Sequence, residues 1–276
     1  MDANTLFTVK GKVALVTGGG RGIGKQIAEG WFVSNGATVY ICSRKEKVLS
    51  LTVQSAIQEN TDTAAELSKK GPGKCIGFAS DLSSVAGSRE KAHVAPFSLA
   101  QDILVNNSGA TWGEPIETFG EAAWDKVMNL NVKGMFFLTQ AALPLLEAAA
   151  THLNPARIIN IGSIAGLGLL AGPTYSYDVS KAAVHHLTKK LAGDLAGRHI
   201  TVNAIAPGVV LTQMGKQLLA MASEEQLKST IALKRFGQGE DMAGVALYLA
   251  SHAGNWVTGA VIPVDGGALV VANSKL

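Results

Sequence analysis

The chain has 276 residues, of which 47% are hydrophobic and only 16% charged, and its net charge of +3 is spread without a basic block. Such a composition excludes a disordered chain and gives no footing for a nucleic-acid surface. It suits one large α/β domain spanning residues 1–276, since no stretch resembles a linker.

The start, "MDANTLFTVKGK", lacks the apolar stretch of a secretory signal, and "GMFFLTQAALPLLEAAA" is interrupted by Gln140, Pro144 and Glu147, so no membrane span is expected. Cys42 and Cys75 fall in apolar stretches without metal-ligand spacing. They are expected to be buried free thiols in a reducing compartment, and no metal site is expected.

In chain order, short Val- and Ile-rich runs alternate with longer amphipathic segments, the pattern of stacked βα units. Strands are expected at Val13–Thr17, Thr38–Cys42, Lys74–Ala79, Ile103–Asn106, Arg157–Ile161, Thr201–Ala206 and Val261–Pro263. Helices are expected to begin near Gly24, Ala64, Trp124, Val179 and Asp241. The stretch from Leu49 to Lys74 is longer than a crossover requires and reads as an extended helix and loop. Gly87 and Pro96 point to an irregular helix between residues 83 and 101. The strands lack strict alternation, as burial on both faces demands, so the fold class is α/β, a doubly wound seven-stranded parallel sheet with helices on both faces.

After the first strand comes "TGGGRGIG", Thr17 to Gly24. Gly18, Gly22 and Gly24 stand between strand and helix, where backbone amides and a helix N-terminus can meet a pyrophosphate. At the end of the second strand an acid would bond the ribose hydroxyl of NAD. This chain instead reads Cys42-Ser43-Arg44-Lys45, and Arg21 adds a cation, so a 2′-phosphate and hence NADP(H) is expected.

The stretch "PTYSYDVSKAA" offers two tyrosines, Tyr175 and Tyr177, ahead of Lys181. Residues four apart share a helix face, which selects Tyr177 as the partner of Lys181. Ser163 lies fourteen positions earlier, just after an apolar strand. Ser180 reads as a packed or locally bonded residue, and His185 and His186 as core or surface histidines.

Together these motifs resemble the short-chain dehydrogenases/reductases, from Lys10 to about Ala268. Asp81-Leu82, "NNSG" at Asn106–Gly109, "NLNVKG" with Asn131, "PGVVLT" at Pro207–Thr212 and "VDGG" at Val264–Gly267 complete the series in the family's order. The resemblance implies a Rossmann-like sheet and a catalytic set of Asn131, Ser163, Tyr177 and Lys181. It also implies cofactor contacts at Gly18, Arg21, Gly22, Ile23, Gly24, Ser43, Arg44, Asp81, Leu82, Asn107, Gly109, Tyr177, Lys181, Pro207, Gly208, Val210 and Thr212. Tyr177 would give the proton, Lys181 would lower its pKa and hold the nicotinamide ribose, Ser163 would bond the carbonyl oxygen, and Asn131 would organise a proton-relaying water chain. Ser108 departs from the family's usual alanine.

The family pattern also implies a site bordered by Thr111, Leu167–Ala171 and Val209–Met214. Trp112, Ser163, Leu167, Thr174 and Met214 are the expected substrate contacts, and no Arg or Lys stands ready to clamp a carboxylate. The nearest resemblance is to reductases of 3-oxoacyl thioesters, carried on CoA or a carrier protein, for which Arg198 is the candidate docking cation. The alternatives are a polyketide, sugar-derived or xenobiotic ketone, and a non-catalytic NADP-binding regulatory or scaffold protein. The resemblance further implies a homo-oligomer, tetramer or dimer. The terminal Ser274-Lys275-Leu276 reads as an address for the peroxisomal import receptor; without it the expected location is the cytoplasm.

Overall fold

The computed structural model describes residues 2–43, 52–80, 82, 101–169, 172–212 and 223–273. The expected Arg44, Asp81, Met214 and Ser274-Lys275-Leu276, and the irregular stretch over residues 83–100, lie outside these. In chain order the elements are α1 (Ala3–Leu6), β1 (Val13–Thr17), α2 (Gly22–Ile27), β2 (Thr38–Ser43), α3 (Thr52–Leu67), β3 (Lys74–Ala79) and β4 (Ile103–Asn106). There follow α4 (Glu121–Met128), α5 (Met135–Ala149), β5 (Ala156–Ile161), α6 (Tyr175–Leu195), β6 (Ile200–Pro207), α7 (Glu224–Ser229), α8 (Gly239–Ala250), β7 (Val261–Val264) and α9 (Ala268–Asn273).

The strands form one parallel seven-stranded sheet in the order β3-β2-β1-β4-β5-β6-β7. Every residue of β4, β5 and β6 is buried. Successive side chains on these strands enter opposite layers. Ile158 and Leu104 pack with Leu130 and Leu146 on one face, whereas Ile159 and Val105 pack with Ile27, Phe32 and Leu247 on the other. Each such side chain contributes about 1.5–3 kcal/mol by leaving water.

Strand ends agree with the sequence reading to within a residue or two, and helices begin earlier than expected. Those awaited near Gly24, Trp124, Val179 and Asp241 start at Gly22, Glu121, Tyr175 and Gly239. A first turn leaves its N–H groups free and tolerates polar residues, so apolar periodicity becomes visible only beyond it. α3 starts at Thr52 rather than Ala64 because part of its inner face is polar: Asn60 and Thr63 are buried ahead of Ala64 and Leu67.

Two polar networks cross the sheet. Near the carboxyl ends of the strands, Asn106 Nδ2 donates to Thr139 Oγ1 at 3.1 Å and to Asn160 Oδ1 at 2.9 Å, and Asn160 Nδ2 donates to Thr188 Oγ1 at 2.9 Å. At the opposite end Lys12 Nζ bonds Asp102 and Asn154, and the buried Arg157 donates to Asn154, Ser251 and Asn255. Burial pushes the Arg157 guanidinium down to about 10, so it remains charged at neutral pH.

The first network predicts that Asn160→Ala destabilises the protein by about 2–4 kcal/mol, because Asn106 Nδ2 and Thr188 Oγ1 each lose a buried partner. Urea denaturation measures this, and an unchanged midpoint would contradict it.

Candidate active site

The strand order reverses between β1 and β4, the place where an open α/β sheet receives a ligand beyond its carboxyl ends. The turn after β1 begins with Gly18 at φ +65° and includes Gly22 at φ +57°, left-handed values that favour glycine. Gly18 N donates to Cys42 O at 2.7 Å, tying this turn to β2. Gly24 admits no side chain, since a Cβ there would lie 2.4 Å from Asn107 Nδ2 and 2.6 Å from Gly18 O.

Asn107 completes the turn from the β4 side, donating from Nδ2 to Thr17 O at 2.9 Å. The Thr17 hydroxyl accepts from the backbone N–H groups of Asn107 and Ser108, at 2.9 and 3.0 Å. At the N-cap of α2, Arg21 makes no capping bond to the first-turn amides. Those amides and the glycine turn above them suit a dinucleotide pyrophosphate, and the absence of an acid at Cys42-Ser43 suits a 2′-phosphate on its ribose.

Thr212 closes the turn from the other side, with its Cγ2 3.7 Å from where a Gly22 Cβ would stand. Pro207 ends β6, Gly208 N donates to Val264 O, and the buried Val210 bridges to Gly237. Ile23 packs against one core layer and Leu82 lies buried in the other, while Ser43 ends β2 beside Ala79.

The expected catalytic residues converge on the ends of β4 and β5. Tyr177 lies in the first turn of α6 with its phenol near the Ser163 hydroxyl, which accepts from Ala165 N at 3.2 Å. One helical turn on, the buried Lys181 extends Nζ to Ile161 O at 2.8 Å and lies 5.5 Å from the Tyr177 ring centroid. A Cβ on Gly109 would stand 3.3 Å from Asn131 Oδ1 and 3.7 Å from Lys181 Nζ, so all of these residues border one small space.

Asn131 sits in a π-helical turn, Asn129–Gly134, between α4 and α5. Its Oδ1 accepts from Ala110 N at 2.8 Å, and its Nδ2 donates to Ala110 O and to Ser180 Oγ, both at 2.9 Å. Ser180 in turn donates to Tyr177 O at 2.7 Å. The local bonding expected of Ser180 thus forms a bridge from Asn131 to the backbone of Tyr177. Tyr175 belongs to another cluster, its ring 5.8 Å from Phe119 in an edge-to-face contact.

Burial raises the Tyr177 pKa above the usual phenol value; the Ser163 hydrogen bond opposes this and the nearby Asp178 carboxylate reinforces it. The net shift is upward, opposite to the lowering expected from Lys181, and Tyr177 holds its proton at neutral pH. Desolvation brings the Lys181 ammonium down to about 8. Asp178 is itself raised by burial, against the effect of a hydrogen bond from Thr174.

At the mouth stand Trp112, 40% exposed, and Leu167, 43% exposed. Trp112 Nε1 donates to Glu114 at 2.9 Å, and Lys126 Nζ lies 5.3 Å from the indole centroid. Glu114 N donates to Pro173 O at 3.1 Å, and Gly113 approaches Thr174. Trp112 and Thr174 thus lie on adjoining loops. Leu170 and Ala171, at the end of the expected Leu167–Ala171 border, lie outside the described residues.

The sequence reading gave no role to Thr17, Ala110, Asn60 or Asp178. Asn60 reaches from α3 under the glycine turn, with Oδ1 2.7 Å from a Gly20 Cβ position and Nδ2 donating to Phe78 O. Asp178 was open to discovery, being one residue from Tyr177 and four from Thr174; nothing local marks Asn60.

A family model described as Enoyl-(Acyl carrier protein) reductase matches residues 18–268. The chain is 43% identical over 266 residues to the rhamnolipids biosynthesis 3-oxoacyl-[acyl-carrier-protein] reductase of Pseudomonas aeruginosa, covering 95% of this chain and 97% of that one. It is 35% identical over 263 residues to the 3-oxoacyl-[acyl-carrier-protein] reductase FabG of Thermotoga maritima, covering 95% and 99%. Among solved structures, the Pseudomonas aeruginosa RhlG/NADP active-site complex superposes with a TM-score of 0.86 at 42% identity, covering 96% of this chain and 98% of that one.

Because the Asp178 charge disfavours the phenolate, Asp178→Asn is expected to lower the Tyr177 pKa. Ultraviolet titration against a Tyr177→Phe control reads it, and a titration curve that does not move would refute the coupling.

Proposed function

Since the chain belongs to the short-chain dehydrogenase/reductase family, we propose that it is an NADPH-dependent reductase that converts the ketone of a 3-oxoacyl thioester, on CoA or a carrier protein, to a secondary alcohol. The observation that carries this reading is the placing of the Ser163 and Tyr177 hydroxyls near each other, with the buried Lys181 one turn along. When bound, NADPH supplies the hydride to the carbonyl carbon. The family's NADP chemistry is supported by the relative solved with NADP, the glycine turn, and the absence of an acid at the end of β2.

Within this reading Ser163 donates a hydrogen bond to the carbonyl oxygen and steadies the charge that grows there. Tyr177, kept protonated by burial, gives its proton to the same oxygen. Lys181, brought down to about 8, is close enough to neutrality to pass a proton onward to Tyr177. Two hydroxyls aimed at one oxygen suit a C=O bond. The C=C bond of an enoyl thioester, named in the family description, gives no oxygen to protonate at the reacting carbon.

The thioester assignment draws on the two 3-oxoacyl reductases among the relatives and on the exposed apolar surfaces of Trp112 and Leu167 at the mouth. Arg198, the candidate docking cation, forms an ion pair with Glu147, which favours a CoA thioester as the first substrate to try. The peroxisome is the proposed location, read from Ser274-Lys275-Leu276; a fluorescent fusion that keeps the tripeptide at its end and stays diffuse would refute it.

NADPH oxidation with 3-oxoacyl-CoA substrates of increasing length tests the activity. Tyr177→Phe is expected to lose about 10²–10⁴ in kcat while still binding NADPH. The wild-type rate of reduction is expected to decline as pH rises through about 8, where Lys181 gives up its proton. Full turnover by Tyr177→Phe, or a preference for NADH, would overturn the proposal.

A further inference from the structure

The turn that carries Ser163 is held from beneath by two residues of α6. Lys181 bonds Ile161 O, just before the turn. One helical turn further on, His185 is 5% exposed, and its Nδ1 lies 3.3 Å from Gly166 O, at the far end of the same turn. A carbonyl oxygen only accepts, so Nδ1 carries the proton and Nε2 is the bare nitrogen.

Nε2 is buried without a hydrogen-bond partner and faces Gly162, where a Cβ would lie 2.1 Å from it. The ring therefore occupies the space that a side chain at position 162 would fill. Close backbone approach completes the seat, since a Cβ on Gly166 would lie 2.5 Å from Ala182 N. The turn's own bonds are Ala165 N to Ser163 Oγ at 3.2 Å, Gly166 N to Ser163 O at 3.0 Å, Leu167 N to Ile164 O at 2.9 Å, and Gly168 N to Ile164 O at 3.0 Å, and none of them engages Gly166 O. An apolar side chain of similar bulk would fill the space beside Gly162 but leave Gly166 O without this donor.

We propose that His185 is a positioning residue: its Nδ1–H on Gly166 O, from a ring seated against Gly162, fixes the turn that presents the Ser163 hydroxyl to Tyr177. The inference deepens the carbonyl-reduction reading and rests on it for its kinetic test alone. Small errors in aiming cost turnover more than binding, because the oxygen must meet both hydroxyls in the transition state.

The experiment compares His185→Leu, His185→Asn and His185→Gln in the full chain. An Asn amide can reach the position of Nδ1, whereas the longer Gln amide reaches that of Nε2. His185→Leu and His185→Gln are expected to lower kcat about tenfold with KM within about twofold, and His185→Asn to restore most of it. Hydrogen exchange, which needs no substrate, should show the amides of residues 166–168 opening faster in the Leu and Gln variants and near wild-type rates in the Asn variant.

Wild-type kcat and exchange in His185→Leu would overturn the proposal. So would equal losses in the Asn and Gln variants, a comparison that stands even if the Leu variant does not fold. If the wild-type protein turns over no 3-oxoacyl thioester, the substrate reading fails, while the exchange pattern still decides the role of His185.

Discussion

The burial of the Lys181 ammonium is the constraint around which the site is arranged. A cation out of water must be satisfied by nearby acceptors or lose its proton. Here the Ile161 carbonyl accepts from it at the end of β5, and burial leaves its pKa at about 8. That contact ties α6 to the end of β5, where Tyr177 stands near Ser163 and Gly166 lies against the helix backbone. Gly109 lies beside the same ammonium, joining the β4 loop to this centre.

Around this centre the chain uses backbone groups as much as side chains. Asn131 spends both ends of its amide on Ala110 and reaches Ser180, fixing the β4 loop to α6. Thr17 does the same work between β1 and the β4 loop, one hydroxyl serving two amides. These bonds are buried or partly buried, and losing a buried partner costs more than making the bond yields. The site is thereby held rigid from several strands at once, as hydride and proton delivery to one carbonyl requires.

Much of this was legible in the sequence because the spacing of residues carried it. Four positions from Tyr177 to Lys181 mean one helix face, and the glycines from Gly18 to Gly24 between an apolar strand and a helix mean a phosphate turn. What escaped depends on long-range fit. The inner face of α3 carries Asn60 and Thr63, so periodicity understated its length. The π-turn at Asn131 leaves no compositional mark. His185 and Gly162 are complementary across 23 positions, and neither alone announces the other. The direction of the Tyr177 shift was also beyond reach, because motif spacing reports a neighbouring charge but not how deeply the phenol is buried.

The Arg157 network at the other end of the sheet bears on how the chain is made. Its guanidinium waits for Ser251 O and Asn255 Oδ1, which lie 94 and 98 positions downstream. At roughly 5–20 residues per second, synthesis delivers those acceptors on the order of 5–20 s after Arg157 itself. Until then β5 cannot settle with all its polar groups paired. Asn154 and Pro155 are already there to receive part of the guanidinium, but the packing of this end is completed only once the residues after α8 have emerged. A chain halted before Asn255 would carry a guanidinium only partly paired, a mark by which unfinished copies differ from finished ones.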